Sequence, residues 1–341
     1  MDETAHVARK LSALVDMGFE RVNASPVTTE AARIDRKTHK VTSSRPAMGT
    51  LVSVSALTRS QDLGEEAIGS AFMEMDRLIG VFSRFDGASA VSELNGTGRL
   101  RGAPPEFSHV LSQSLLYHEL TGGAFDVSVE PVVDLFRSCS EGSLPLDHEV
   151  LEALELVGSR RIALSRGTVD LERSGMRVTL DGMAKGYIVD AIAAVLERHK
   201  IKSYLIDGGG DVRASGRNER RQPWTIAVQD PSKRGQFPDT IHLVNGAVAT
   251  SGSYEVYFDR EQEHHHIVNS KTGKSPILSQ SVSVIAPSTM AADALATTAF
   301  VMEPDEGVEF IGRLPGCECL IVDRDGLQLK TRGWKSVAPV H

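Results

Sequence analysis

At 341 residues the chain is long enough to bury a substantial core, as one large domain or two. Its 41% apolar and 24% charged residues are the balance of a soluble globular protein, and a net charge of −8 argues against broad binding to nucleic acid or an acidic membrane. An anionic ligand would need a local site, and no apolar run approaches membrane-spanning length.

The sequence opens acidic, as Met1-Asp-Glu-Thr-Ala-His6, and polar residues interrupt Leu11, Leu14, Val15 and Met17, unlike a signal peptide or lipoprotein leader. Three cysteines, an odd number, fit a reducing compartment, so a cytoplasmic protein without membrane insertion is expected. Cys317 and Cys319 fall on one face of an expected strand, and two thiols alone do not make a metal site.

Residues 1–45 are polar and, apart from a weak helix near 5–18, read as an extension; the domain is expected over 46–337. Thr50 to Ala56 alternates like a strand. From Leu63 to Phe82, Ala67, Ile68, Ala71, Phe72, Met75, Leu78, Ile79 and Phe82 recur at helical spacing. A second helix is predicted over 105–120, stopped by Thr121-Gly-Gly123, and a third from an N-cap at Asp147 to Val157. Short strands are expected at 161–164, 169–171 and 177–180, then a helix over about 188–198. Further strands follow near 203–207, 211–214, 224–229, 240–244, 247–250, 254–258, 265–269 and 281–286. A helix at about 290–302 precedes a hairpin turning at Asp323-Arg-Asp-Gly326. Short links between successive strands, with helices in separate groups, predict an α+β fold with a mixed, largely antiparallel sheet flanked by helices.

Five segments carry chemistry. Leu180-Asp-Gly-Met-Ala-Lys-Gly-Tyr-Ile-Val-Asp190 joins an expected strand to a helix, and a helix start with a Lys in its first turn suits phosphate; the bland reading is a capping Asp181 and a solvated Lys185. Ala47-Met-Gly-Thr50 precedes the first strand, and Gly122-Gly-Ala-Phe-Asp126 sets an acid after a flexible turn. Ile206-Asp-Gly-Gly-Gly-Asp211 is a glycine run where backbone can approach a ligand. Asp293 and Thr297 project from one face of the expected 290–302 helix, a carboxylate plus a hydroxyl that suit Mg²⁺ when phosphate oxygens complete the shell. As an isolated pair they would be a solvated acid and a back-bonding Thr.

Together these segments resemble, in order and spacing, the ApbE family of FAD:protein FMN transferases. The matching stretches are Ala47–Thr50, Gly123–Asp126, Asp181–Asp190, Gly209–Gly216, Thr250–Gly252, His265–Gly273 and Ala292–Thr297. The resemblance implies a T-fold-like single large domain with a smaller subdomain. It also implies Mg²⁺-dependent transfer of FMN from FAD to a Thr or Ser hydroxyl of an acceptor flavoprotein, releasing AMP. Asp293 and Thr297 would then bind Mg²⁺ through side chains and Ala184 through its carbonyl, with Asp293 and His266 as the catalytic pair. Asp181 and Lys185 would contact FAD. Met48, Ala124, Phe125, Asp126, His266 and Ile267 would line the flavin or adenine pockets, and Gly209, Gly210, Ser251 and Gly252 would let backbone approach the cofactor.

His266 is the acid–base candidate because His titrates near neutral pH; without the resemblance, His264-His-His266 reads as a polar turn. This sequence departs from the family at Asn269-Ser270, where Asp-Pro is common, and at Met290, where a second acid often stands. Phe85 occupies the place of an aromatic or Asn near the flavin. Water in place of the acceptor would give an FAD pyrophosphatase, and loss of catalysis would leave a flavin-storage protein. Asp86-Gly-Ala-Ser89 echoes the short sequence the family modifies, although an Asp-Gly turn is its ordinary reading.

Overall fold

A computed structural model describes residues 28–139, 143–228, 238–255, 257–259 and 263–337. Strands β1 (Thr28–Arg33), β2 (His39–Ala47) and β3 (Thr50–Thr58) open the fold. β4 (Arg99–Arg101), β5 (Ile162–Ser165) and β6 (Thr168–Leu171) make a small separate sheet. β7 (Tyr204–Asp207) and β8 (Val212–Ser215) precede a hairpin of β9 (Trp224–Ala227) and β10 (Thr240–Leu243). β11 (Gly246–Gly252), β12 (Ser279–Ala286), β13 (Glu318–Asp323) and β14 (Gln328–Lys330) complete the strands. The main sheet runs β1-β2-β3-β7-β8-β11-β12-β13-β14 and is antiparallel throughout.

The helices are α1 (Gln61–Phe82), α2 (Ala90–Thr97), α3 (Pro105–Leu120), α4 (Glu130–Ser138), α5 (Asp147–Leu154), α6 (Asp181–Arg198), α7 (Thr289–Val301) and α8 (Pro304–Gly312). α1, α6, α7 and α8 lie side by side over one face of the sheet, with α1 on β2 and β3 and α7 on β11 and β12. The central strands are buried on both faces. Ala247, Ala249, Val282 and Val284 pack with α7, while Val248, Leu320 and Val322 pack with Trp224, Ile226 and Trp334 on the other side. α4 and α5 form a smaller unit around Val132, Val133, Phe136 and Val150.

The α+β architecture is the expected one, with differences in particular elements. The segment expected as an extension supplies β1 and β2 from residue 28 on, whereas the helix predicted near 5–18 lies outside the described residues. Residues 177–180 form no strand: Asn95 takes the Val178 N–H and C=O with its side-chain amide, at 2.7 and 2.8 Å. The helix predicted from 188 begins at Asp181, so Gly182 and Gly186 lie inside it. Leu146, not Asp147, holds the cap position of α5, which ends at Leu154. The strands predicted at 254–258 and 265–269 reduce to a 3₁₀ turn at Ser253–Glu255 and a single Tyr257–His265 bridge; residue 256 is outside the described residues. α2, α4, α8 and β4 had no sequence forecast.

Candidate active site

The first two turns of α6 pack flat against α7. Gly182 and Gly186, one turn apart, make this possible: a β-carbon at Gly186 would lie 2.5 Å from the Thr289 carbonyl oxygen, and one at Gly182 would lie 3.2 Å from the Thr297 hydroxyl. Tertiary contact here overrides the poor helix propensity of glycine. Across the contact the buried Asp293 accepts a hydrogen bond from the Gly186 amide at 3.1 Å. Thr297, one turn further along α7, shares a hydrogen bond of 3.2 Å with Ser251 at the end of β11. Ala184 is buried between Gly182 and Gly186. The structure thus brings together three elements carrying a carboxylate, two hydroxyls and a helix backbone.

The oxygen-only character of this donor set fits a hard cation such as Mg²⁺ and not a thiophilic or imidazole-bound metal. No cluster of three or more His, Cys, Asp or Glu side chains able to hold a metal exists among the described residues. One carboxylate with hydroxyl and carbonyl oxygens would leave part of a Mg²⁺ shell open to oxygens from outside the protein.

Asp181 is the first residue of α6 and half exposed, and Arg84 Nη2 lies 3.1 Å from its carboxylate. The same guanidinium donates through Nη1 to both oxygens of the buried Glu130, at 3.0 and 3.1 Å, and lies over the Phe85 ring at 4.8 Å. Burial pushes Glu130 up to about 7 against the pull of Arg84. Phe85 itself is exposed. On the next turn of α6, Lys185 Nζ lies 3.6 Å from the buried Asp211 carboxylate.

Asp211 ends the glycine run. Asp207 accepts from the amides of Gly209 and Gly210 at 2.9 and 3.1 Å, and both glycines have positive φ. A β-carbon on Gly209 would meet the Thr50 hydroxyl at 2.2 Å, so only glycine fits there. Thr50 follows the Met48-Gly49 turn that joins β2 to β3, both turn residues having positive φ, and Met48 packs half-buried on the core. Two distant motifs therefore meet through one Thr–Gly contact.

Asp126 is held by neighbouring side chains and backbone. Its buried carboxylate accepts from Ser128 N at 2.8 Å and Ser159 Oγ at 2.6 Å and pairs with His118 Nδ1 at 3.1 Å. Those hydrogen bonds hold its pKa below the usual carboxylate value against burial, and Asp126 in turn raises that of His118. Asp126 braces the turn that presents Ala124 and Phe125. Phe125 is buried, and its ring would stand 3.4 Å from a β-carbon on Gly182.

The His segment leans on α7. His265 is buried, takes the Ile267 amide on Nδ1 at 3.3 Å and donates Nε2 to the Pro276 carbonyl at 2.9 Å. Burial pushes it down to about 4, so it is a neutral anchor. Its ring meets Phe300 of α7 edge-on at 5.5 Å, and Ile267 joins the core cluster of Ala292, Leu295 and Ala296. His266 is thereby carried, half-buried, between two residues fixed to the helix of Asp293 and Thr297. Gly252, at the end of β11, has the Tyr254 ring 2.1 Å from where a β-carbon would stand.

Residues 48–321 match the sequence model of the ApbE family. The chain belongs to the ApbE family. It is 28% identical over 295 residues to the FAD:protein FMN transferase of Haemophilus influenzae, covering 82% of this chain and 85% of that one. It superposes on the flavin transferase ApbE from Vibrio cholerae with TM-score 0.74 and 25% identity, over 90% and 98% of the two chains. For the ApbE protein from Thermotoga maritima the TM-score is 0.77 at 28% identity, over 89% and 97%.

The departure from the ApbE pattern at Asn269-Ser270 has a local explanation. Asn269 takes the Lys271 amide on its side-chain oxygen at 2.9 Å, the turn bond an Asp would make. Ser270 donates to the Gly123 carbonyl at 2.6 Å, tying the His segment to the Gly-rich turn. Ser89 is buried as the N-cap of α2, which takes its hydroxyl out of reach of any transfer. Arg84 and Glu130 lie in none of the sequence motifs, and nothing in their spacing marks them; Asp207 lies in the glycine run, where its part in holding the Gly209 and Gly210 amides is a structural finding.

Proposed function

We propose that this ApbE-family chain moves FMN from FAD to a Thr or Ser hydroxyl of an acceptor protein, with Mg²⁺ and with release of AMP. The observation that carries the reading is the meeting of Asp293 and Thr297 with Ser251 and with the Lys185-bearing start of α6. The names of relatives such as the Haemophilus influenzae enzyme support it. Asp293, Thr297 and the Ala184 carbonyl would hold Mg²⁺, which when bound neutralises charge on the pyrophosphate. Lys185 adds a second positive charge beside that group, and the N-terminus of α6 presents its partial positive charge to the same side. Asp181, held by Arg84, and the Gly209-Gly210 turn would position the rest of FAD.

His266 would accept the acceptor hydroxyl's proton as the oxygen attacks the FMN phosphorus. The new bond is the phosphoester; the bond that breaks is the pyrophosphate P–O bond, and AMP leaves with its electron pair. The test is incubation with FAD, Mg²⁺ and a candidate acceptor, followed by intact mass and nucleotide chromatography. An FMN-sized mass gain with stoichiometric AMP is expected. AMP with free FMN and no adduct would replace the reading with hydrolysis, and intact bound FAD would replace it with storage.

A further inference from the structure

We propose that Asp190 is a positioning residue that sets the register of α7 against α6, and with it the spacing of the Ala184, Asp293 and Thr297 oxygens. The proposal rests on the Mg²⁺ reading above. Asp190 lies one turn beyond Gly186 on α6, so Gly182, Gly186 and Asp190 form a single stripe facing α7. Its two carboxylate oxygens accept separately from the first two amides of α7, Thr289 N and Met290 N, each at 2.9 Å. A helix start exposes amides that its own cap residue usually satisfies. Here Ser288 supplies only part of the cap, its hydroxyl taking the Ala291 amide at 3.2 Å. The other two amides are bonded by a different helix.

The consequence is geometric. Charge-assisted bonds from both oxygens fix where α7 begins relative to the third turn of α6. Asp293 and Thr297 lie one and two turns downstream, at ~1.5 Å of rise per residue, on a helix stiff enough to transmit displacement of its start. At the other end of the stripe, Gly182 abuts Thr297, and midway Gly186 bonds Asp293. A slip at the clasp would therefore move two side-chain oxygens away from the Ala184 carbonyl together. Arg213 contacts the same arrangement from β8, with Nε 3.9 Å from Asp190 and Nη1 donating to the Pro287 carbonyl just ahead of the helix.

The test separates register from mere helix stability. Asp190→Ala and Ser288→Ala each remove capping bonds at the same helix end, but only the first unties α7 from α6. Mn²⁺ binding in the presence of ADP, followed by the free-Mn²⁺ electron paramagnetic resonance signal, is measured beside thermal melting. Both variants should melt lower than the parent. Asp190→Ala should weaken Mn²⁺ binding by about tenfold or more, the size typical of residues that orient metal ligands. Ser288→Ala should leave Mn²⁺ binding unchanged. Equal weakening in both variants, or none in either, would overturn the proposal while leaving the Mg²⁺ reading intact. A parent protein that binds no Mn²⁺ would overturn both. Should Asp190→Ala not fold, Asp190→Asn, which keeps one acceptor oxygen, carries the same comparison with a smaller expected effect.

Discussion

Gly186 gives its amide to Asp293 at 3.1 Å, a bond that exists only because no side chain separates the two helices at that point. A methyl group at Gly186 would sit 2.5 Å from the Thr289 carbonyl oxygen, and backbone rather than a flexible side chain would have to give way. Alanine is the better helix former by about 1 kcal/mol, but forced overpacking costs about 1–3 kcal/mol. Gly186→Ala should therefore be destabilised, with activity lost as the Asp293 contact opens. Gly182→Ala meets only side-chain atoms at 3.2 and 3.4 Å, so it should fold as well as the parent yet lose activity, because the methyl crowds Thr297. Urea denaturation and FAD turnover on the two variants check this; a Gly186→Ala protein as stable and active as the parent refutes the account of the helix contact.

Asp293→Ala removes the carboxylate of the proposed Mg²⁺ set. It also removes the acceptor of the Gly186 amide, so the loss of stability should be about 1.5–3 kcal/mol, that of one hydrogen bond to a charged group. FAD cleavage should fall at least about a hundredfold, because positioning and charge neutralisation supply most of a phosphoryl-transfer acceleration. AMP release measured by chromatography decides it, and turnover within tenfold of the parent would remove Asp293 from the metal assignment.

The fold class and the segments that meet around α6 and α7 are legible in the sequence, and the reasons for the gaps are physical. Strands with one apolar and one polar face, such as β3, announce themselves by alternation. β1 and β2 do not, because the side chains that face each other across their ladders are hydroxyls: Thr29 with Ser43 of β2 at 2.9 Å, and Thr42 and Ser44 of β2 with Ser55 and Ser53 of β3 at 2.8 and 3.0 Å. Residues Thr, Ser, Lys and Arg in that pattern read as a polar tail. α6 starts at 181, seven residues before the 188 that its sequence suggests, because glycine punctuates helices locally, whereas Gly182 and Gly186 answer to α7, remote in sequence. The Asp181 and Lys185 segment stands out nevertheless, since acid, lysine and glycines at that spacing are a chemical signal independent of where the helix begins. Asp126 shows the converse, a motif acid whose carboxylate is occupied by Ser128, Ser159 and His118.

Glu130 makes stability depend on pH. An acid whose pKa rises on folding, here from an ordinary 4.5 to about 7, holds its proton more tightly folded than unfolded. The folded state is thus favoured below 4.5 and loses that advantage as pH rises to about 7, a cost of up to about 3 kcal/mol at ~1.4 kcal/mol per pH unit. Glu130→Gln cannot ionise, so its stability should fall less between pH 5 and 8, read as about that difference in denaturation free energy. Parallel pH profiles for parent and Glu130→Gln would show that Arg84 fully compensates the buried charge.

Thr297 allows the hydroxyl to be separated from the shape of the side chain. Its Oγ1 shares a hydrogen bond with Ser251 and faces Gly182, and the residue is only half-buried, so Thr297→Ser retains the oxygen while losing a methyl. Thr297→Val retains the shape and loses the oxygen, leaving Ser251 without that partner. If the hydroxyl is a Mg²⁺ ligand, Thr297→Ser should keep turnover within about threefold, whereas Thr297→Val should lose about ten- to a hundredfold and need more Mg²⁺ for half-maximal rate. Ser251→Ala should fall between the two, since it removes only the hydrogen bond that orients the ligand. The decisive reading is the Mg²⁺ titration. A Thr297→Val enzyme with reduced rate but unchanged Mg²⁺ dependence would assign the hydroxyl to packing or substrate contact and leave Asp293 as the sole side-chain ligand from α7.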